Sequence, residues 1–472
     1  MSMSSDLEAM DGAVALEHAR LPRARARSNR RDVAVGVAVA GIIAANGVVI
    51  VWLWLKGGGI SGVHGRAEGF TSLGRLTGLI AVYLALLQLV MLARVPALER
   101  LFGFDEMSSW HAFNGKLCIA LVVAHVMLIT AGYSLADKIS FGAEISRLID
   151  VYPGMVTATV GTALMLLVVF ASLFIVRRRL SYEGWYHLHL TIYAGIALAY
   201  FHQIPTGNEF AAHPIQADYW ISLYAATLAL LLVYRVWRPA QAALRHGLRV
   251  RAVTTEAEGV TSIEVTGRDL HRLRIEPGQF MLWRFLTKGR WWQSHPFSLS
   301  AAPDGRSLRL TVKAVGDFTR RLRDLEPGTK VIAEGPFGVF TSAVRRRERV
   351  LLIAGGIGIT PLRALFEELA GKVDVVLLHR VLSKREAVFE RELEQLAKLP
   401  QARFRLLVGD HRRGEGAALL SPSRLAKLVP DVAQRDVYVC GPAEMIEATL
   451  RSLRALKVPD DQLHTERFAL AA

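Results

Sequence analysis

The chain predicts a multidomain fold: a six-span α-helical membrane bundle, then an antiparallel β-barrel, then a doubly wound α/β domain. Three observations carry this prediction. Apolar residues make up 52% of the 472 positions, mean hydropathy is +0.28, and these residues are concentrated in the first half. After about residue 247 the pattern changes to short alternating runs, VTSIEV, QFMLWRF and SLRLTVKAV, broken by PG, DG and PG turns. From Val350 apolar strands such as VLLIAGG, VDVVLLH, FRLLVG and DVYVCG alternate with helical stretches, the pattern of a parallel sheet.

In chain order, residues 1–32 are polar and end in Arg20, Arg23, Arg25, Arg27, Arg30 and Arg31; a disordered cytoplasmic tail without a removable signal peptide is expected. The membrane bundle is expected over 33–240. A bilayer core of about 30 Å needs roughly 20 apolar helical residues. Stretches near 33–55, 73–93, 110–133, 156–176, 185–204 and 218–237 qualify. The third and fifth are the more polar, which suits spans shielded inside a bundle. Barrel and nucleotide domains are expected over 247–343 and 347–472.

Lys plus Arg exceed Asp plus Glu by 57 − 42 = 15. Much of that excess lies beside apolar segments, so it reads as a positive-inside signal, and nucleic acid is not an expected partner. The tail, RRR at 177–179 and the stretch from Arg235 to Arg251 are basic, whereas 203–217 contains no Lys or Arg. Both termini are therefore expected in the cytoplasm, with the chain a multi-pass protein of the cell's inner (plasma) membrane and the lipid bilayer its surroundings. Cys118 and Cys440 are the only cysteines, which excludes a disulfide framework or thiolate metal cluster.

Histidine is costly in hydrocarbon, yet HAFNGKLCIALVVAH begins at His111 and ends at His125. Fourteen helical residues rise about 21 Å and return to within roughly 40° of one face. The fifth span holds His187, His189 and His202, so His111 pairs in depth with His187 or His189, and His125 with His202. Two levels of facing imidazoles suit two bis-histidine haems; hydrogen bonds between packed helices are the alternative. A single four-ligand zinc site would need the two levels to meet. The thirteen residues from His189 to His202 leave them roughly 140° apart on an ideal helix, and His187 fits better at about 60°.

This pattern resembles the ferric reductase and NADPH oxidase superfamily, in which six helices hold two haems. The family's third helix carries ligands fourteen residues apart, and its fifth carries them thirteen apart after a stretch similar to Trp185-Tyr186-His187-Leu188-His189-Leu190. The resemblance thus implies His111, His125, His189 and His202 as ligands of two b-type haems. HPFSLS at 295–300 resembles the flavin-binding segment of a ferredoxin-reductase-type barrel, with His295, Pro296, Phe297 and Ser298 lining FAD. VKAVGDFTRRL at 312–322 is similar to the segment whose Gly316 backbone and Thr319 hydroxyl hold the pyrophosphate, since amide N–H groups and a hydroxyl suit phosphate oxygens.

GGIGITP at 355–361 follows a strand and opens a helix; it resembles the family's nicotinamide-nucleotide loop, implying Gly355, Gly356, Gly358, Thr360 and Pro361 as contacts. Cys440, Gly441 and Pro442 resemble its nicotinamide-side element, and Glu466 with Phe468 its C-terminal ending, whose aromatic ring covers the flavin. Arg380, with Ser383, Lys384 and Arg385, suits a 2′-phosphate and hence NADPH, with NADH the alternative; a solvated charged loop is the competing reading. Arg75 matches an arginine beside the outer haem, with interfacial snorkelling the other reading. The resemblance implies transfer from NADPH through FAD and two haems to an acceptor outside: dioxygen, an Fe(III) chelate or a periplasmic protein. The oxidases carry a further histidine one turn beyond the outer ligand, where this chain has Ile129.

Overall fold

The structure, a computed structural model, describes residues 30–173, 176, 182–207, 214–410, 416 and 418–467. The expected tail up to residue 29, RRR at 177–179 and Phe468 lie outside the described residues. Contacts divide the chain into two compact units, Arg30–Trp237 and one containing Arg238–Ala472.

The first unit is helical: α1 (Arg30–Lys56), α2 (Arg66–Met91), α3 (Phe104–Asp137), α4 (Met155–Ser172), α5 (Tyr182–Thr206) and α6 (Pro214–Leu231). Among the described residues, five stretches are long and apolar enough to cross a membrane: Ala34–Lys56, Arg66–Met91, Glu106–Asp137, Met155–Ser172 and Pro214–His246. Helix α5 has 25 residues, enough length, but His187, His189, His202 and Gln203 make it more polar than these five. Helix α6 continues through a π-helical stretch, Leu232–Trp237, into a short helix, Arg238–His246.

Between 6% and 28% of each apolar window is buried, and large apolar side chains, Phe113 and Phe170 among them, are exposed. Such surface is costly in water and satisfied in hydrocarbon. Ile50, Trp54, Leu79, Tyr83 and Trp220 join α1, α2 and α6 in a buried cluster. Polar groups there find protein partners, as a hydrocarbon setting requires. Trp54 Nε1 donates to Ser72 O at 3.1 Å, Tyr83 Oη to Ile43 O at 2.8 Å, and Tyr219 Oη to Asn46 Oδ1 at 2.9 Å. Helix α3 packs along α2, and α4 along α5.

The second unit opens with six strands: β1 (Arg249–Ala257), β2 (Val260–Thr266), β3 (Phe280–Phe285), β4 (His295–Ser298), β5 (Ser307–Lys313) and β6 (Val331–Phe337). They form two antiparallel sheets, ordered β1-β2-β5 and β4-β3-β6. Bridges at Arg249–Lys330 and Leu299–Leu310 stitch the sheets along both seams. Alternating inward residues, Ile263, Val265, Met281, Trp283, Leu308 and Leu310, fill one core between them.

Five strands follow: β7 (Arg349–Gly355), β8 (Asp374–Val381), β9 (Ala402–Val408), β10 (Asp436–Gly441) and β11 (Leu463–Arg467). They are parallel in the order β11-β10-β7-β8-β9. Both faces of β7, β8 and β10 are buried, which is why these three strands read as nearly continuous apolar runs. Leu352, Ala354, Val375, Leu377, Tyr438 and Cys440 point to one core, whereas Leu351, Ile353, Val376, Leu378, Val437 and Val439 point to the other. Helices α7 (Ile359–Leu369), α8 (Glu390–Leu396) and α9 (Ala443–Ala455) accompany the sheet.

Candidate functional site

In the helical unit, α3 carries His111 and His125 while α5 carries His189 and His202. The rings of His111 and His189 are 6.1 Å apart between centres, and those of His125 and His202 6.4 Å. Two histidine–metal bonds of roughly 2.0–2.1 Å, plus about 1.1 Å from each nitrogen to its ring centre, give a separation of about 6.3 Å. Both gaps therefore fit a metal ion that each pair of imidazoles would hold between them. His187 is exposed and stacks edge-on against Tyr186.

The ring orientations are held from behind. His125 Nδ1 lies 2.7 Å from Gly74 O, which can only accept, so Nδ1–H donates and Nε2 is left for a ligand. A side chain at Gly78 would stand 2.6 Å from His125 Nδ1, so the approach of α2 to this ring requires glycine there. Ser172 Oγ donates to Val168 O at 2.7 Å, accepts from Trp185 Nε1 at 3.1 Å and lies 3.4 Å from His189 Nδ1. With the hydroxyl proton spent on Val168, His189 Nδ1–H is the donor and Nε2 is again left over. Nδ1 of His111 and of His202 are buried with no hydrogen-bond partner among the described residues. Arg75 follows Gly74 and donates from Nη2 to Gly57 O at 3.1 Å, at the level of His125. Ile129 packs against Gly74.

In the two-sheet domain, β4 is His295–Ser298, and the short helix Asp317–Arg321 follows β5. The structure brings HPFS and GDFT together, since His295 stacks on Phe318 with ring centres 3.8 Å apart. Trp283 Nε1 donates to Phe297 O at 2.9 Å, and Pro296 and Phe297 are half-buried. Ser298 is buried. Thr319 Oγ1 accepts from the Val315 and Gly316 amides at 2.9 and 3.0 Å and donates to Gly316 O at 3.0 Å. The Gly316 and Thr319 groups are thus bonded to each other across an exposed turn.

In the parallel-sheet domain, Gly355 ends β7, Gly356–Gly358 form a turn, and α7 begins at Ile359. Thr360 Oγ1 donates to Ile357 O at 3.1 Å, and Pro361 sits in the first helical turn, where its missing N–H costs nothing. Strand β10 runs beside β7, so Cys440, Gly441 and Pro442 meet the glycine turn at the sheet's carboxyl edge. A side chain on Gly358 would stand 2.3 Å from Cys440 O, so this crossing requires glycine. The Cys440 side chain is fully buried in the core, and burial, with Glu466 nearby, pushes its thiol well above the usual range. Arg380 is half-buried near the end of β8; burial lowers its pKa while Asp410 opposes that shift, and its Nη2 lies 3.5 Å from Gly416 O. Ser383, Lys384 and Arg385 are exposed.

Sequence reasoning missed the groups behind the site: Gly74, Gly78 and Ser172 around the histidines, and His379 beneath the glycine turn. None carries a motif. The one available signal was His379 itself, a polar residue at an inward position of an apolar strand.

Comparison with known families follows the same division. Residues 77–200 match the ferric reductase like transmembrane component, 247–341 an FAD-binding domain, and 352–451 an oxidoreductase NAD-binding domain. The chain is an oxidoreductase in which flavin- and nicotinamide-nucleotide-binding domains follow a membrane component. With its three domains in this order, it belongs to the ferric reductase and NADPH oxidase type of fusion.

Among individual proteins, it is 26% identical to the glycine betaine monooxygenase reductase subunit of Chromohalobacter salexigens, over 48% of this chain and 64% of that one. It is 30% identical to a flavohemoprotein of Pseudomonas putida, over 56% of this chain and 71% of that protein. The chain thus spans less than two thirds of the first of these relatives. Among solved structures, the flavohem-like FAD/NAD-binding domain of a nitric oxide dioxygenase from Vibrio cholerae is similar at 26% identity and a TM-score of 0.39. That match covers 47% of this chain and 99% of that domain.

Proposed function

We propose that this protein is a transmembrane NADPH oxidoreductase that passes electrons from NADPH through FAD, an inner haem and an outer haem to dioxygen on the far side of the membrane. The observation that carries the haem path is the pair of histidine gaps, 6.1 and 6.4 Å, at two levels of the same two helices. Both termini lie in the cytoplasm and α5 is the fifth of six membrane spans, a reading supported by loop charge and by the 25-residue length of α5.

The chemistry the cofactors supply when bound is the division of one hydride into two single electrons and their relay through iron. The chain's own residues supply position. His111 with His189, and His125 with His202, would hold the two haem irons from facing helices. Gly74 O and Ser172 Oγ fix the protonated nitrogen of two of these rings. His295 to Ser298 present an edge for the flavin, and its pyrophosphate would take over the Gly316 amide and Thr319 hydroxyl now bonded to each other. The N–H groups at the start of α7 favour the anionic pyrophosphate of the nicotinamide nucleotide. Arg380 supports a 2′-phosphate and thus NADPH over NADH. Phe468 and Pro442 are assigned to the flavin–nicotinamide contact, and Arg75 to attraction of an anion beside the outer pair.

One observation favours a second acceptor. Ile129, packed on Gly74, occupies the position where the oxidases carry a histidine, which weakens the dioxygen reading without excluding it and keeps an Fe(III) chelate or a periplasmic protein partner as the alternative. Purified protein is to be given NADPH in air with superoxide trapping, and in parallel under argon with an Fe(III) chelate. Superoxide formation matching NADPH consumption is expected. Rapid iron reduction without superoxide would overturn the dioxygen assignment, and a reduced-minus-oxidised spectrum without b-type bands would overturn the haem path.

A further inference from the structure

We propose that His379 is a positioning residue for the nicotinamide nucleotide: it anchors the Gly356 carbonyl and thereby turns the amide face of the glycine turn toward the pyrophosphate. The proposal rests on that turn being the nucleotide's phosphate site.

His379 lies on β8 opposite Ala354 of β7, two residues before the turn. Its side chain has no exposed surface, and its Nε2 is 3.1 Å from Gly356 O. A carbonyl can only accept, so Nε2 carries the proton. Burial pushes the imidazole down to about 4, so the ring is neutral throughout the physiological range and keeps this tautomer. Nδ1 has no hydrogen-bond partner among the described residues.

That orphan nitrogen is informative. Strand alternation puts position 379 on the same face as Val375 and Leu377, in an apolar core. A leucine would fill such a place without burying an unsatisfied acceptor, a penalty proteins generally avoid. The imidazole's single hydrogen bond is to the turn.

The effect of that bond follows from peptide geometry. In a trans peptide the carbonyl and the next residue's N–H point in opposite directions. Holding Gly356 O toward His379 therefore aims the Ile357 N–H away from the sheet interior, on the side where α7 begins. Gly356 itself has φ +52°, a conformation few other residues adopt, and its carbonyl also accepts from the Ile359 N–H, so the imidazole is a second bond favouring this peptide orientation over its flip.

The test uses the full chain with His379→Leu, His379→Gln and His379→Asn. Glutamine places an amide N–H near the position of Nε2, whereas asparagine is too short to reach Gly356 O. For the leucine and asparagine variants, NADP⁺ affinity and the KM for NADPH are expected to weaken about tenfold, the usual worth of one buried hydrogen bond. Their kcat should change less than twofold, with FAD content and thermal midpoint near wild type, and glutamine should restore most of the affinity. If the leucine variant fails to fold, the glutamine–asparagine comparison decides alone. Equal affinity in glutamine and asparagine variants would overturn the proposal. Wild-type protein that binds no NADP⁺ would instead overturn the assignment of the turn as the phosphate site.

Discussion

At the scale of single residues, the histidines of α3 and α5 set a sharp expectation. Each ring centre sits roughly 6 Å from its counterpart, a separation that would admit a metal ion held between the two imidazoles. Replacing His125 with Leu should leave one haem per chain by pyridine-haemochrome assay. Reduction of a soluble dye by NADPH should continue, because that step needs only the flavin and nucleotide domains. Loss of both activities together would count against separate cofactor stations. Depth along the helices was legible in the sequence, since rise per residue is fixed. The choice between His187 and His189 was not, because a helical wheel gives the angle at Cα, whereas side-chain torsions carry an imidazole well away from it. The exposed placement of His187 was thus outside what periodicity alone could say.

Among elements, the strands of the parallel sheet were the most legible, because burial on both faces leaves continuous apolar runs. What the pattern did not reveal is the charged group that ties their ends. Arg435 has 1% of its side chain exposed and bonds Asp374 through Nη1 and Nη2, at 3.1 and 2.9 Å, and Asp431 through Nε and Nη2, both at 2.9 Å. It also donates to the carbonyls of Val350 and Asp374. Arg435→Leu removes the partner these two carboxylates share, leaving Arg403 to Asp374 and Arg349 to Asp431, and should destabilise this domain by about 1.5–3 kcal/mol, measured by urea unfolding. Burial alone would raise both carboxyl groups, but the hydrogen bonds and charge of Arg435, with Arg403 at Asp374 and Arg349 at Asp431, outweigh it and hold them below the usual range. A depressed folded pKa contributes stability above the unfolded value of about 3.9, and that stability is lost as the pH falls below it. The wild type should therefore weaken on acidification in that range, and the leucine variant should lose much of this dependence.

For the whole molecule, the division into a helical unit with outward apolar faces and a second unit with its own closed cores determines where each can reside. Loop charge predicts the cytoplasm for both termini. A green fluorescent protein fused to the C-terminus should glow, and alkaline phosphatase fused there should be inactive; the reverse pattern would invert the proposed direction of electron flow. The two buried cysteines bear on how such a molecule survives its own chemistry. Cys118 is 9% exposed and Cys440 fully enclosed, and both are unpaired. Thiols are damaged by oxidants through their accessible, ionised form. A protein whose proposed product is superoxide thus offers its own product no ready sulfhydryl to attack.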